Sequence, residues 1–460
     1  MSIQSLLGIA QGAMLAQAEA VDIAGQNVAN STTPGYVRRN VLLQTRSDRG
    51  APQGGVYAAG VARSWDAFAH QRVVTEGGRQ GAASARSGAL ATLESLVAPG
   101  QGQSLADRAS AFFSAYSALS SNPRDSTARA TVLGRAQELA QTVSQTAAGL
   151  ADQRASLLKE ATGTAGEINE RLGKIAALNE KIATAQALGD TAPDLRDQRA
   201  QLLREVGERV DVRAIEDATG KLTVLSSGSV LVEGKGATRV DVGLSQDGNL
   251  AITFQRPNGV SLDVTKAVTS GKLGGLRETR DADIPALQKK LDQTAYDLAN
   301  AVNAAHAGGY GLDGQTGRNL FAAPAQVEGA AYSFAIDPEL QGHPERLATA
   351  KSAADVPGGN DVALQIAQLA SKPLGAGVEN PAEALTGLAS MVGVKKNAAD
   401  AELTLRESTL TQADNLLQSS GGISIDEEMM NLTRYQRAFE ASMRVVKTAD
   451  ELLTSIIKDL

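Results

Sequence analysis

The sequence predicts a mainly α-helical protein with inserted β structure. We expect long N- and C-terminal helices that form a coiled-coil-like pair, a helical bundle domain, and small antiparallel β domains in the middle. Three observations support this fold class: apolar residues recur at helical spacing at both ends, amphipathic stripes fill residues 65–210, and alternating valine-rich segments occupy residues 211–268.

Composition limits the classes of function. The 460 residues include 42% apolar and 21% charged side chains, which suits a folded core. The net charge of −7, with no basic tail, argues against nucleic acid as the main partner. The chain has no cysteine, which excludes disulfides and thiolate metal sites. No apolar run reaches the ~18 residues of a membrane-spanning helix, so we expect no membrane insertion.

The N-terminal segment, residues 1–36, is predicted to be one assembly helix followed by a turn. The first basic residue is Arg38, so we expect no cleaved secretory signal. The helix ends before Pro34 and Gly35, which disfavour helix and permit a turn. Its apolar stripe, interrupted by Gln17, is Ile3, Leu7, Ala10, Met14, Val21, Ala24 and Val28.

Residues 37–210 are assigned to the N-terminal part of the helical domain. Residues 37–63 are expected to be extended, and helix returns near Trp65. Ser104 and Asp107 have the spacing of a capping box that opens another helix. A long helical stretch is then expected to reach about Ala187.

A small antiparallel β domain is predicted at residues 211–270, with hairpin turns at Asp247-Gly248 and Asn258-Gly259. Residues 271–307 form a helix that returns to the helical domain. We expect a short irregular or β outer region at 308–360 and the C-terminal part of the helical domain at 361–422.

The last segment, residues 423–460, is predicted to be the C-terminal assembly helix. A capping box at Ser424–Glu427 opens it. Apolar residues recur every seven positions, at Ile425, Leu432, Phe439, Val446, Leu453 and Leu460. Met429, Met443 and Ile457 are expected to fill most of the alternate positions of a coiled-coil seam.

Neither terminal helix can bury its apolar stripe alone, and isolated helices are marginally stable. We therefore expect both ends to become fully ordered only against other subunits. The alternative is an intramolecular antiparallel pair in a stable monomer.

No chemical site stands out. Residues 309–314 match a dinucleotide-binding string, but they follow a helix rather than a strand. The acidic run at residues 426–428 suits the start of a helix, and His306, at a helix end beside glycines, is expected to be solvated. No acid–base pair or triad is recognisable, so we predict no enzyme, no catalytic residue, no metal and no cofactor.

Two terminal motifs carry a family resemblance. The run from Asn27 to Tyr36 resembles the signature shared by flagellar rod, hook and hook-associated proteins. The run from Ile423 to Leu432, with Gln436, Ala438-Phe439 and Thr448-Ala449-Asp450, resembles their C-terminal motif. Interior segments resemble the hook-associated protein 1 family, which joins hook to filament: residues 65–68, 122–134, 168–182, 195–199, 271–276 and 311–321. The sequence departs from that family at Trp65, where tyrosine is expected, and in the short stretch 322–360.

The resemblance implies a structural subunit of the bacterial flagellum at the hook–filament junction. Proteins of this kind are exported unfolded through the flagellar type III apparatus, with an uncleaved signal, after a chaperone has covered the C-terminal region. They form a ring-like helical layer, with the terminal helices in the inner tube. The implied partners are further copies of the chain, the hook protein, the filament-side junction protein, and the export chaperone and apparatus. The implied location is extracellular.

The candidate assembly residues come from both ends. Asn27 and Asn30 have ordinary helix-end capping as an alternative role, and Gln436 has a solvated or register-setting one. Pro34 and Gly35 would turn the chain out of the tube wall. The N-terminal set is Asn27, Val28, Asn30, Thr33, Pro34, Gly35 and Tyr36, and the C-terminal set is Ile425, Leu432, Gln436, Phe439, Val446, Asp450, Leu453 and Ile457.

Two other functions stay open. A flagellar hook or distal-rod protein would share the ends, but the extensive helix at residues 65–210 argues against it. An extracellular enzyme or adhesin on a helical stalk would need a chemical site, for which residues 211–268 and 308–360 offer the room.

Overall fold

The computed structural model describes residues 3–46, 54–98, 100, 104–256, 259–375, 377 and 379–458. The mainly helical fold with small antiparallel sheets in the middle is confirmed. The helices are α1 (Ile3–Ala29), α2 (Ala67–Val97), α3 (Leu105–Ser121), α4 (Ser126–Ala187), α5 (Pro193–Gly207), α6 (Gly271–Glu278), α7 (Ile284–Ala307), α8 (Asp361–Gln368), α9 (Pro381–Gly421) and α10 (Ile425–Lys458). No helix in the described part of the chain is long and apolar enough to cross a membrane.

A bundle of long helices forms the body. α2 packs along α9, and α3 packs against α4, α8 and α9. The core contains fully buried Phe112, Tyr116, Leu139 and Leu150. The predicted capping box opens α3, because Ser104 Oγ accepts a hydrogen bond from the Asp107 amide while the Asp107 carboxylate accepts from Ser104 N.

Three antiparallel sheets interrupt the helices. The hairpin turn predicted at residues 247–248 joins the paired strands Arg239–Leu244 and Leu250–Gln255. At the other predicted turn, Asn258 lies outside the described residues, but the strands on either side, Leu250–Gln255 and Ser261–Asp263, are paired. The strands are β1 (Arg39–Arg46) with β2 (Gly55–Arg63), then β3 (Arg213–Glu216), β4 (Leu222–Ser226), β5 (Ser229–Glu233) and β6 (Gly236–Ala237), and finally β7 (Arg239–Leu244), β8 (Leu250–Gln255) and β9 (Ser261–Asp263).

Residues 308–360 fold over the end of α7, and this makes the expectation for His306 wrong. Its side chain is 1% exposed rather than solvated. Nδ1 donates to the Arg318 carbonyl at 2.7 Å, and Nε2 accepts from the Ala348 amide at 3.0 Å. Burial lowers the pKa of His306 to about 4, so the ring is neutral at pH 7.

The terminal helices leave the body together. α9 ends at Gly421, whose Cα lies so close to the start of α2 that an added Cβ would be 2.4 Å from the Ser64 carbonyl oxygen. α10 begins four residues later and packs against α1. The C-terminal end of α1 meets the N-terminal end of α10 at Asn27 and Glu428, so the two helices are antiparallel.

Candidate assembly interface

The terminal pair, α1 with α10, is packed through small side chains on α1. The buried positions of α1 are mostly alanine, which permits a close approach of the two helices. They are Ala10, Ala16, Ala20, Ile23, Ala24 and Asn27. Ala10 and Ala24 of the predicted stripe are buried, whereas its members Met14, Val21 and Val28 are only half-buried.

On α10, four of the predicted heptad residues lie in the seam against α1. Leu432, Phe439, Val446 and Leu453 are half-buried, whereas Ile425 is 51% exposed. The Ile457 side chain and Leu460 lie outside the described residues.

The alternate positions of this seam differ from the prediction. Met429 and Met443 are 50% and 48% exposed, so their assignment to the seam is wrong. The alternate seam residue lies three positions after each heptad residue, not four. Tyr435, Ser442 and buried Ala449 therefore occupy these positions. Of these three, Ser442 and Ala449 are small and suit the alanine face of α1.

A second layer covers another side of α1. The β1–β2 hairpin lies along this helix, where an added Cβ on Gly12 would be 3.0 Å from the Val56 carbonyl oxygen. The N-terminal assembly segment is thus held between α10 and the hairpin.

Asn27 is the centre of a buried network at the base of the terminal pair. Its side chain is 1% exposed. Nδ2 donates to the Arg39 carbonyl at 2.9 Å and to Glu428 Oε2 at 3.0 Å. Oδ1 accepts from the Tyr36 hydroxyl and from the Arg39 amide, both at 3.0 Å. The side-chain amide thus uses all four of its hydrogen-bonding positions.

Arg38 fixes the start of α10 to the same point. Its Nη1 lies 3.0 Å from Glu427 Oε2, and its Nη2 lies 2.6 Å from Glu428 Oε1. Glu428 is 2% exposed, so its charge is compensated by this guanidinium and by the Asn27 amide.

Arg39 ties the network to α5 of the body. It pairs with Asp194, and its guanidinium lies 4.6 Å from the centre of the Tyr36 ring. Asp197 lies 2.7 Å from Arg63 Nη2 and accepts from the Val37 amide at 3.4 Å. Burial raises the pKa of Asp197, and burial likewise raises the pKa of Tyr36.

The turn between α1 and β1 makes this convergence possible. Gly35 adopts φ +82°, which favours glycine, and it lies over Gln201 of α5. Thr33, Pro34 and Gly35 are exposed. Within the described residues, the Asn30 side chain makes local bonds only, because Nδ2 donates to the Gln26 carbonyl and Oδ1 accepts from the Thr33 hydroxyl.

The structure brings only some of the candidate residues together. Asn27 and Tyr36 meet in the basal network, whereas Gln436 and Asp450 are exposed on α10 and contact neither. Sequence reasoning missed the charged members of the network, which are Arg38, Arg39, Arg63, Asp194, Asp197 and Glu428. The available signals were the two segments noted for their resemblance, since Asp197 lies within 195–199 and Glu428 lies within the run from Ile423 to Leu432.

Large apolar side chains remain uncovered on the terminal pair and the hairpin. Exposed apolar side chains that cluster on a surface are typical of interaction sites. On α10 they are Ile425 (51% exposed), Met429 (50%), Met430 (66%), Met443 (48%), Val445 (38%) and Leu452 (48%), and elsewhere Leu15 (68%), Leu42 (45%), Leu43 (40%) and Tyr57 (41%). In the described part of α10, only Glu428 and Ala449 are fully buried.

Comparison with known proteins agrees with this arrangement. Residues 90–321 match the family described as the flagellar hook-associated protein FlgK helical domain. Residues 7–36 match the "Flagella basal body rod protein" family, and residues 419–459 match the "Flagellar basal body rod FlgEFG protein C-terminal" family.

Full-length relatives are also similar. The chain is 24% identical to flagellar hook-associated protein 1 of Bacillus subtilis, over 99% of this chain and 98% of the relative. It is 24% identical to the protein of the same name from Escherichia coli, over 99% and 100%. The flagellar hook junction protein FlgK from Burkholderia pseudomallei has the same fold, with a TM-score of 0.66 and 16% identity over 77% of this chain and all of that one.

Proposed function

Because this chain belongs to the family of the flagellar hook-associated protein FlgK, a structural protein of the bacterial flagellum, we propose that it forms the junction between hook and filament. The assembly unit comprises residues 1–36 and 423–460, which include the terminal pair. The body between them faces outward, with residues 308–360 as its outermost region. The chain has no catalytic role in this proposal.

The observation that carries the proposal is the contrast between the two parts of the terminal pair. Its base is fixed to the body through Asn27, Arg38 and Glu428. Its flanks expose methionine, leucine and valine side chains. A rigid base with apolar flanks suits helices that complete their packing against other subunits.

The wider assembly follows from the family. The partners are further copies in a ring-like layer, the hook protein below and the filament-side junction protein above. The chain reaches the cell exterior through the flagellar type III apparatus without cleavage of a signal, accompanied beforehand by an export chaperone. The candidate residues at both ends act in assembly rather than in chemistry.

Deletion of the gene in the source bacterium tests the proposal. We expect cells with hooks that lack filaments, with flagellin free in the medium, and recovery of filaments when the full chain is supplied. Detection of the supplied chain in the medium controls for export. Normal filaments in the deletion strain would refute the junction role, and loss of the hooks themselves would favour a hook or distal-rod protein.

A further inference from the structure

The outward face of α1 is acidic. Leu15, Glu19 and Asp22 are exposed, and their spacing of four and three residues places them on one face. Residues 1–37 contain no lysine, arginine or histidine. Glu19 makes no ion pair within the described chain, and Asp22 accepts only a hydrogen bond from neighbouring Gln26, at 2.9 Å.

The outward face of α10 is basic at its centre. Arg434, Arg437, Ala441 and Arg444 are exposed and follow one another at three- and four-residue spacing. Neither Arg437 nor Arg444 pairs with any acid in the part of the chain that the structure describes. This face is unusual in a chain whose net charge is −7.

Among the described residues, Arg434 is the arginine of this face that has a side-chain partner. Its guanidinium lies 5.0 Å from the centre of the Tyr435 ring, and Nη2 donates to the Tyr435 hydroxyl at 3.1 Å. A shallow groove beside it is lined by Met429, Met430 and Thr433, so apolar surface adjoins the charges.

The two faces have matching patterns in the antiparallel direction. Asp22 and Glu19 are three residues apart, as are Arg434 and Arg437, so the rise between each pair is about 4.5 Å. When Asp22 lies opposite Arg434 and Glu19 opposite Arg437, Leu15 falls opposite Ala441. The large leucine then meets a small residue, which leaves room for close packing.

These faces cannot pair within one chain, because each is exposed while the seam between α1 and α10 occupies other positions. A second copy with the same orientation along a common axis brings its α1 antiparallel to α10 of its neighbour. The second copy therefore offers the complementary charge, the required direction and the required spacing.

Resting on the proposed assembly role, we propose that the acidic face of α1 in one copy docks on the basic face of α10 in the next. Asp22 pairs with Arg434 and Glu19 with Arg437, and Leu15 packs on Ala441. Exposed ion pairs contribute little affinity individually. Their effect is to select one register between copies and to exclude others by like-charge repulsion.

The absence of cysteine makes a direct test available. Ala18→Cys and Ala441→Cys are placed in separate chains, expressed together in the deletion strain, and joined in isolated hook–filament structures by a short thiol cross-linker. Because each chain has one cysteine, the product between these two positions forms only between copies. We expect a cross-linked dimer in which position 18 of one chain is joined to position 441 of another.

Charge reversal then tests the pairing itself. In these cysteine chains, E19K/D22K alone, or R434E/R437E alone, is expected to lower the dimer yield about tenfold, and the four changes together are expected to restore it. K235E/R256E is the matched control and is expected to leave the yield unchanged, because Lys235 lies in the turn between β5 and β6 and Arg256 follows β8, both exposed and away from the terminal pair. The milder E19Q/D22N and R434Q/R437Q variants, with circular dichroism of each protein, separate lost docking from lost folding.

The outcomes distinguish the two proposals. The docking would be overturned if filaments form but no dimer links positions 18 and 441. It would also be overturned if a charge-reversed variant and the parent give equal dimer yields. Either result would leave the junction role intact. Failure of the combined variant to recover, when it folds normally, would do the same. Failure of the unaltered chain to restore filaments would instead refute the junction role.

Discussion

Replacing Asn27 with alanine removes the side chain that joins α1, the following turn and α10. Four hydrogen bonds are lost, to the Arg39 carbonyl and amide, the Tyr36 hydroxyl and Glu428. The Arg38–Glu428 ion pair at 2.6 Å remains, so the carboxylate keeps one partner.

The cost follows from the groups that are left without partners. The Arg39 backbone groups are buried with that residue, which is 6% exposed. A buried polar group without a partner costs about 1–3 kcal/mol. We therefore expect the Asn27→Ala change to weaken the docking of the terminal pair by about 2–4 kcal/mol. The population of the undocked pair should rise about 30- to 1000-fold.

Trypsin cleavage under native conditions measures this population. Arg434, Arg437 and Arg444 are potential cleavage sites on α10, whereas residues 1–37 contain none. Cleavage of a helix requires local opening, so its rate follows the opening equilibrium when reclosing is fast. Mass spectrometry assigns each cut to α10 or to the body.

Asn30→Ala is the matched control. Asn30 is half-buried, and its bonds to Gln26 and Thr33 lie within the end of α1. We expect the Asn30→Ala change to weaken the docking of the terminal pair by less than about 1 kcal/mol. The rate of cleavage in α10 should then rise by less than about fivefold. Equal cleavage of α10 in the Asn27 and Asn30 variants would refute the role of the basal network.

Two further predictions concern the body. The pKa of His306 is about 4 in the folded protein and 6.5 in the unfolded chain. Its contribution to the free energy of unfolding is therefore complete above pH 6.5 and decreases as the pH falls toward 4. The difference in free energy of unfolding between the wild type and the His306→Gln variant should therefore decrease by about 3 kcal/mol between pH 6.5 and pH 4. A difference that does not change with pH would contradict this prediction. Gly421→Ala places a Cβ 2.4 Å from the Ser64 carbonyl oxygen and should lower stability by about 1–3 kcal/mol in urea unfolding. Gly393→Ala, in the same helix with open space around it, should be neutral or stabilising by up to about 1 kcal/mol, and equal effects of the two changes would refute the steric explanation.

Local signals were sufficient to predict most of the elements. The Ser104–Asp107 capping box opens α3, and valine alternation after residue 211 marks the strands. The glycine pair at 421–422 marks the break between α9 and α10. Each signal depends on neighbours a few residues away, where backbone preference and side-chain spacing act directly.

These local signals do not predict which residues far apart in the sequence come into contact. Asn27 was open to interpretation as an ordinary helix-end cap, but its partner Glu428 lies 401 residues away. His306 was expected to be solvated because the sequence gives no sign that residues 318 and 348 fold over it.

The coiled-coil seam shows a subtler limit. Heptad spacing correctly placed Leu432, Phe439 and Val446 on one face of α10, but did not distinguish a step of three from a step of four. A step of four would place Met429 and Met443 in the seam, where both are in fact about half exposed. The positions that face α1 are instead Tyr435, Ser442 and Ala449, and the two small residues suit the alanine face of α1.

Hydrogen exchange of the chain as a monomer and in assembled hook–filament structures tests the central claim most directly. In the monomer we predict slow exchange in α4, intermediate exchange near Asn27 and Glu428, and fast exchange toward the free end of the terminal pair. Assembly should slow exchange along the whole of α1 and α10. The result that would contradict the claim is protection of α1 and α10 equal to that of α4 in a proven monomer, with no change on assembly. Other subunits would then not complete the packing of these two helices.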